Sequence, residues 1–195
     1  MMYSASHIRK SYGDKTVLRD VSLCIPEDQP VILMGPSGCG KSTLFNILLG
    51  LEEPDSGEVT GRPARVAAVF QENRLSETYT VLQNVRMVAP NRPVSEAVDL
   101  LTELGLADAI HEKAKDLSGG MKRRAAIARA LFCHSEALLM DEPFKGLDED
   151  TKDKTIQIVK RWSEGKKVLC ITHDETLASR FGGRVYQLSD LESDR

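Results

Sequence analysis

The sequence predicts an α/β protein: a sheet core preceded by an antiparallel β segment and interrupted by a helical insertion. Three observations predict it. Short apolar runs at residues 31–34, 137–140 and 168–171 each end in a polar or glycine-rich loop, as buried strands of an open α/β sheet do. Residues 3–25 read differently, with Val21, Leu23 and Ile25 alternating with Ser22 and Cys24 at a period of two. Between the first and second apolar runs, residues 94–104 carry a helical stripe.

The loop after the first apolar run is the most informative stretch. Gly35, Pro36, Ser37, Gly38, Cys39, Gly40, Lys41, Ser42 and Thr43 fit the pattern G-x-x-x-x-G-K-[ST]. A strand precedes it and a helical run, residues 44–51, follows. That context separates a phosphate cradle from an ordinary glycine-rich turn. Glycines let backbone N–H groups converge on an anion without Cβ clashes. The helix start adds unpaired N–H groups and the positive end of its dipole. Lys41 has the reach for β- and γ-phosphates, and Ser42 has a hydroxyl to offer Mg²⁺.

In chain order, Gly13, Asp14 and Lys15 are expected to turn between the first two strands. Tyr12, just before that turn, offers a face on which a base could stack, or is a surface tyrosine on a hairpin. Residues 52–61, with their Pro, Gly, Asp and Ser, are expected to be turns. Residues 66–70 form a strand candidate. At its exit Gln71 could hold Mg²⁺ or a water beside a γ-phosphate, or stand in solvent. Residues 74–90 show no clear period. In the helix at 94–104, Val94, Ala97, Val98, Leu101 and Leu104 share a face, and Gly105 ends it.

Ser118 reads as the N-cap of an alanine-rich helix running to residue 133. With Gly119 and Gly120 it forms a second place where bare N–H groups can meet an anion. Lys122, Arg123 and Arg124 crowd the positive end of that helix, unfavourable by about 0.3–1 kcal/mol each. Either an external anion or solvent is expected to take them up. Asp141, Glu142 and Pro143 close the strand at 137–140, where open α/β sheets bind ligands. Asp141 suits Mg²⁺ through its waters and Glu142 suits a general base, against the alternative of an acidic turn stopped by proline. A helix is expected over 151–162 and a last strand over 185–188. At the exit of the strand at 168–171, His173 bonds a γ-phosphate oxygen or caps a helix.

Hydrophobic residues at 41% and charged residues at 28% are those of a globular chain, and a net charge of -3 gives no bias toward nucleic acid or acidic membranes. The four cysteines form no C-x-x-C pair and the four histidines no ligand spacing. That disfavours a zinc site and suits reduced thiols in the cytosol. No apolar run approaches the roughly 18 residues of a membrane span. The start carries His7, Arg9 and Lys10 without the apolar stretch of a signal peptide. After the last strand no room is expected for an appended regulatory domain.

Taken together, Tyr12, the loop from Gly35 to Thr43, Gln71, the run Leu117, Ser118, Gly119, Gly120, the strand ending in Asp141 and Glu142, then Leu147, Asp148 and His173 resemble the ATP-binding-cassette (ABC) ATPase family over nearly the whole chain. The Leu-Ser-Gly-Gly run some twenty residues before Asp-Glu is the specific part, since the phosphate loop alone occurs in many nucleotidases. The resemblance implies a P-loop NTPase core with an N-terminal antiparallel β subdomain and a helical insertion. It implies one ABC domain over 1–195, with the core at about 1–72 and 134–195 and the helical part at about 73–133. It further implies that Tyr12 stacks on adenine and that Gln71 touches Mg²⁺ and reports to a transport partner. Ser118 and Gly120 would bind the γ-phosphate, with Gly119 between them. Glu142 would be the base and His173 the switch, with Lys41 completing the catalytic set. Ser42, Gln71 and Asp141 would hold the metal. ATP and Mg²⁺ are the implied cofactors. The implied partners are a transmembrane permease on a separate chain and a second ATPase subunit in an ATP-dependent homodimer, with no nucleic acid. The implied place is the cytoplasmic face of a prokaryotic membrane, reached through the permease.

Residues 69–75 are similar to nitrate, sulfonate and taurine importers. One position departs from the pattern: Met121 stands where the family usually has glutamine, so a side-chain polar contact is lost while backbone donation survives. A non-transport ABC ATPase of DNA repair or translation is the alternative, disfavoured by the lack of coiled-coil insertions, tandem cassettes or basic tails. A small-molecule P-loop kinase has no use for the Ser-Gly-Gly run.

Overall fold

The computed structural model describes residues 2–192. Two long strands, β1 (Tyr3–Tyr12) and β2 (Lys15–Ile25), pair antiparallel across the Gly13–Asp14 turn. Strand β3 (Val31–Met34) leads through the phosphate loop into helix α1 (Lys41–Leu49). Next come β4 (Ser56–Thr60) and β5 (Val66–Val69). Three helices follow, α2 (Val81–Arg86), α3 (Val94–Glu103) and α4 (Gly119–Phe132). The chain closes with β6 (Ala137–Asp141), α5 (Glu149–Trp162), β7 (Lys167–Ile171), α6 (Glu175–Phe181) and β8 (Arg184–Gln187). The strands form a three-stranded antiparallel sheet in the order β2-β1-β4 and a five-stranded parallel sheet in the order β5-β6-β7-β3-β8.

The apolar runs behave as central parallel strands because both of their faces are covered. Ile32, Leu138, Met140, Val168 and Cys170 face a cluster built with Ile127, Leu131, Phe132, Ile156 and Phe181 from the helices. Their neighbours Val31, Leu33, Leu139, Leu169 and Ile171 face a second cluster with Leu44, Phe45 and Leu48 of α1 and Tyr3, Ile8 and Ile25 of the antiparallel sheet. The period of two in the strands therefore assigns each side chain to one of two cores. Burial of Cys170 among these side chains pushes its thiol well up from the ordinary value.

The end of α1 is tied to the antiparallel sheet. Tyr3 donates its hydroxyl to the Leu48 carbonyl at 2.6 Å, and Arg62 donates to Leu48 and Ile47 at 2.9 and 3.1 Å. These carbonyls are among the ones a helix leaves unpaired at its C-terminus. Burial raises the Tyr3 hydroxyl to about 12, with Arg62 acting in the other direction.

Three expectations are corrected here. Residues 52–61 are not all turns: residues 56–60 are β4, paired along β1 with Ala5 opposite Val59. Residues 74–90 contain α2, opened by a capping box in which Thr80 accepts from the Gln83 N–H and Gln83 accepts from the Thr80 N–H. The helix over residues 94–104 buries Ala97, Leu100, Leu101 and Leu104, whereas Val94 is 44% exposed; its buried stripe is shifted by part of a turn from the one expected.

Candidate nucleotide site

The loops that leave β3, β5, β6 and β7 all emerge at the carboxyl edge of the parallel sheet, the edge at which such sheets bind ligands. Every sequence-predicted site residue except Tyr12 and the Ser118, Gly119, Gly120 group lies on one of them, at the end of β6 (Asp141) or on the first turn of α1.

The phosphate loop has the backbone its glycines permit. Gly38 and Gly40 have φ of 79° and 113°, conformations that strain any residue with a Cβ. A Cβ on Gly40 would also lie 2.8 Å from a Leu18 methyl and 2.9 Å from the Val17 carbonyl. Gly40 caps α1 with no side chain, so the first-turn N–H groups of Lys41, Ser42 and Thr43 have no side-chain partner. Lys41, only 8% exposed, donates to the carbonyls of Gly35 at 2.7 Å and Pro36 at 2.8 Å, with the Cys39 sulfur 3.8 Å away. The loop thus holds an ammonium beside a row of backbone donors, which is what a polyphosphate requires.

Behind Lys41, Ser42 Oγ donates to Asp141 Oδ2 at 2.8 Å. Burial raises the Asp141 carboxyl above its ordinary value; Glu142 adds to this, while Ser42, Lys41 and Arg123 oppose it. A buried carboxylate so placed gains from a cation. Next to it, Glu142 is held at φ 49°, in the left-handed region where Cβ-bearing residues are uncommon. Its side chain is 13% exposed. One oxygen accepts from His173 Nδ1 at 2.7 Å and the other from the Thr172 hydroxyl at 3.4 Å. Because a carboxylate only accepts, Nδ1 carries the proton in this pairing. His173 does not cap α6; Asp174 does, accepting from the Thr176 N–H at 3.0 Å.

Tyr12 stands half-exposed at the end of β1, its hydroxyl donated to Glu52 and also in reach of the Thr43 hydroxyl on α1. Its ring is therefore beside the phosphate-loop helix. Gln71 follows β5 as an exposed residue, and its side chain is not tied to Ser42 or Asp141. Ser118 caps α4 by accepting from the Met121 N–H at 3.3 Å. Gly119 has open space where a Cβ would be, and Gly120 faces Leu147 and the Gly146 carbonyl. No hydrogen bond among the described residues joins this group to the phosphate loop.

The expectation of solvent fails for Arg123, which is buried, and Lys122, Arg123 and Arg124 all have partners within the chain. Each donates to backbone carbonyls of its own chain. Lys122 reaches Lys115 at 3.2 Å, and Arg124 caps the end of α3 through Leu104 and Gly105 at 2.6 and 2.9 Å. Arg123 is buried and donates to the carbonyls of Phe70, Asp141, Glu142 and Pro143. Burial lowers its guanidinium from the ordinary value, with the Asp141 and Glu142 carboxylates acting to raise it. Met121, in place of a glutamine, packs against the helix-side core.

The profile described as ABC transporter matches residues 18–145. The chain belongs to the ABC transporter family. Among its relatives is aliphatic sulfonates import ATP-binding protein SsuB 1 of Nocardia farcinica, 44% identical over 193 residues, which are 95% of this chain and 77% of the relative. SsuB 2 of Pseudomonas fluorescens is 39% identical over 194 residues, 95% and 72% of the two chains. Among solved structures, the dimeric bacterial ABC transporter cassette MJ0796 superposes with a TM-score of 0.87 at 33% identity, covering 100% of this chain and 97% of that one. The same cassette in a post-hydrolysis dimer with ADP and Pi gives a TM-score of 0.85 at 32% identity, with the same coverage. As an ABC ATPase the chain binds and hydrolyses ATP.

Two residues around Glu142 were not given a place in the site by the sequence reading. Thr172 carries the second oxygen of Glu142, and nothing in its neighbourhood marks it beyond its place at a strand exit. Arg123 was visible as a cation at the wrong end of a helix, but its acceptors are brought to it only by the fold.

Proposed function

We propose that the chain is the ATPase subunit of a membrane importer. Two copies would share each ATP and drive a permease carried on a separate chain at the cytoplasmic face. The observation that carries this reading is that the two loops read as anion sites open different helices. One, at Gly35 to Thr43, stands with the Ser42–Asp141 and Glu142–His173 pairs. The other, at Ser118, Gly119 and Gly120, opens a different helix, with no hydrogen bond to the first among the described residues. A second copy facing the first head to tail would bring the Ser118 group over the ATP held by Lys41 of its partner. The dimeric solved relatives support that arrangement. The import-system names of the curated relatives support the permease and point to an anionic solute of the sulfonate class. No helix among the described residues is long and apolar enough to cross a membrane, so crossing falls to the permease in this reading.

In this reading residues 1–72 and 134–195 form the core, and residues 73–133 the helical part that presents Ser118. Tyr12 stacks on adenine. The backbone from Gly35 to Thr43 and the Lys41 ammonium hold the phosphates. The Ser42 hydroxyl, the Asp141 carboxylate and the free-standing Gln71 fit Mg²⁺, a hard cation that takes few protein oxygens and completes its shell with water and phosphate. Bound there, Mg²⁺ would neutralise phosphate charge. Glu142 accepts the proton of the attacking water, with Thr172 and His173 fixing the direction of its two oxygens. His173 is also placed to donate to a γ-phosphate oxygen once it turns from Glu142.

The test is complementation. A Lys41→Ala chain and a Ser118→Arg chain each lack a complete site when paired with themselves, but a mixed pair contains one intact composite site. Mixing is expected to trap labelled ATP that neither variant traps alone. A mixture that traps none, under conditions where the wild type does, would overturn the shared site.

A further inference from the structure

Arg123 is 4% exposed and is the fifth residue of α4, at the start of its second turn. Its guanidinium spans two loops. Nε donates to the Pro143 carbonyl at 2.8 Å, and Nη2 to those of Asp141 at 2.9 Å and Glu142 at 2.5 Å. Nη1 donates to Phe70 at 2.6 Å and, at 3.3 Å each, to the Gln71 carbonyl and Asn73 Oδ1. Arg129, two turns on, repeats the attachment by donating to the Arg74 and Asn73 carbonyls at 2.6 and 3.2 Å.

Three successive carbonyls, those of Asp141, Glu142 and Pro143, turn toward one group because the chain reverses at Glu142, whose φ is 49°. A Cβ-bearing residue in that region is strained by about 1–3 kcal/mol and persists only when its surroundings over-determine it. The carbonyl attachments supply that determination. The planar fork of five donors suits arginine, whereas a lysine ammonium offers three donors from one point.

We infer that Arg123 is a positioning residue for ATP hydrolysis: by holding the backbone on both sides of Glu142 it fixes the direction of the Glu142 carboxylate, and through Phe70 and Gln71 it sets the neighbouring loop from the same helix. The inference rests on the reading of Glu142 as the base. It adds that α4, whose start carries Ser118, is fastened through one side chain to the chain's own hydrolytic loop. Displacement of α4 would then move the base.

Arg123→Gln, Arg123→Lys, Glu142→Gln and the Arg123→Gln/Glu142→Gln double variant test this, measured at a temperature well below each melting transition. Arg123→Gln is expected to lower kcat by about 10- to 100-fold, the scale of a misplaced catalytic group, with KM and the affinity for a fluorescent ATP analogue changed less than about threefold. Arg123→Lys, which keeps charge and part of the bonding, should recover part of the rate and serves as the test if the glutamine variant does not fold. Single-turnover hydrolysis followed over hours should show the double variant no slower than Glu142→Gln alone, because residues acting as a unit are non-additive. A kcat loss that follows only the unfolded fraction, or independent multiplication of the two losses, would overturn the inference. Wild-type-like turnover in Glu142→Gln would instead overturn the base reading, and the positioning role with it.

Discussion

At the scale of single residues, the proposed hydrolysis centres on Glu142. Its carboxylate is directed by Thr172 and His173, and its backbone is held in a strained conformation. Glu142→Gln should lower ATP turnover by about 10²–10⁴-fold, the usual worth of a positioned base, while leaving ATP binding intact because Lys41 and the loop are untouched. Phosphate release together with equilibrium nucleotide binding measures both. A variant keeping a third of wild-type turnover would remove Glu142 from the role. The neighbouring Asp174 makes a pH prediction. Its bonds from Thr176, then the Lys152 ammonium at 3.1 Å, hold it at about 2 instead of 3.8. A carboxylate held low stabilises the fold above its unfolded value and loses that contribution as pH falls through the folded one. Asp174→Ala should therefore cost about 0.5–2 kcal/mol near pH 7, as the loss of an N-cap does. The gap between variant and wild-type urea midpoints should close between about pH 4 and pH 2. A gap independent of pH would contradict it. At this scale the sequence was most legible where chemistry dictates spacing, as from Gly35 to Thr43. It was least legible for Arg123 and Thr172, whose partners lie up to 53 residues away.

Elements were legible in proportion to how completely they are buried. β3, β6 and β7 are apolar runs because both faces are covered, and α3 shows a stripe because one face is. β4 was read as turn because an edge strand with little burial needs few apolar residues, and Ser56, Gly57, Glu58 and Thr60 are exposed. Gly57 has a second reason: a Cβ there would lie 2.4 Å from the His7 carbonyl, so the strand needs a glycine to approach β1. α2 was missed because six residues show no period, although Thr80 and Gln83 spell a capping box. Such a short helix depends on its start. Thr80→Ala is expected to cost about 1 kcal/mol, read as a lower urea midpoint, with ATP binding unchanged. A variant as stable as wild type would show that packing of Val81 and Val85, both fully buried, suffices without the cap.

At the scale of the molecule, the chain presents two kinds of unfinished surface. One is apolar: Tyr79 is 45% exposed, with Met87 and Val88 exposed further along, in the stretch that follows Gln71. If this is where a permease docks, Tyr79→Asp should abolish co-purification with the permease while the melting temperature stays within a few degrees. Undiminished co-purification would place the contact elsewhere. Leu82, half-buried against the core, is a poorer probe because charging it would disturb the fold. The other unfinished surface is the Ser118 group. That two separate loops each open a helix was readable from sequence. That the cations beside the second loop serve the chain's own carbonyls was not; in the proposed dimer the Ser118 hydroxyl and nearby backbone N–H groups would be what meets a partner's phosphate.

The most direct test is the mass of Glu142→Gln in solution, with and without ATP. A γ-phosphate shared between copies favours the dimer only while ATP is intact. The hydrolysis-deficient chain should therefore pass from monomer to dimer when ATP is added, and addition of Ser118→Arg should keep it monomeric with ATP bound. A Glu142→Gln chain that is saturated with ATP yet stays monomeric at every concentration, with and without its permease, would contradict the account.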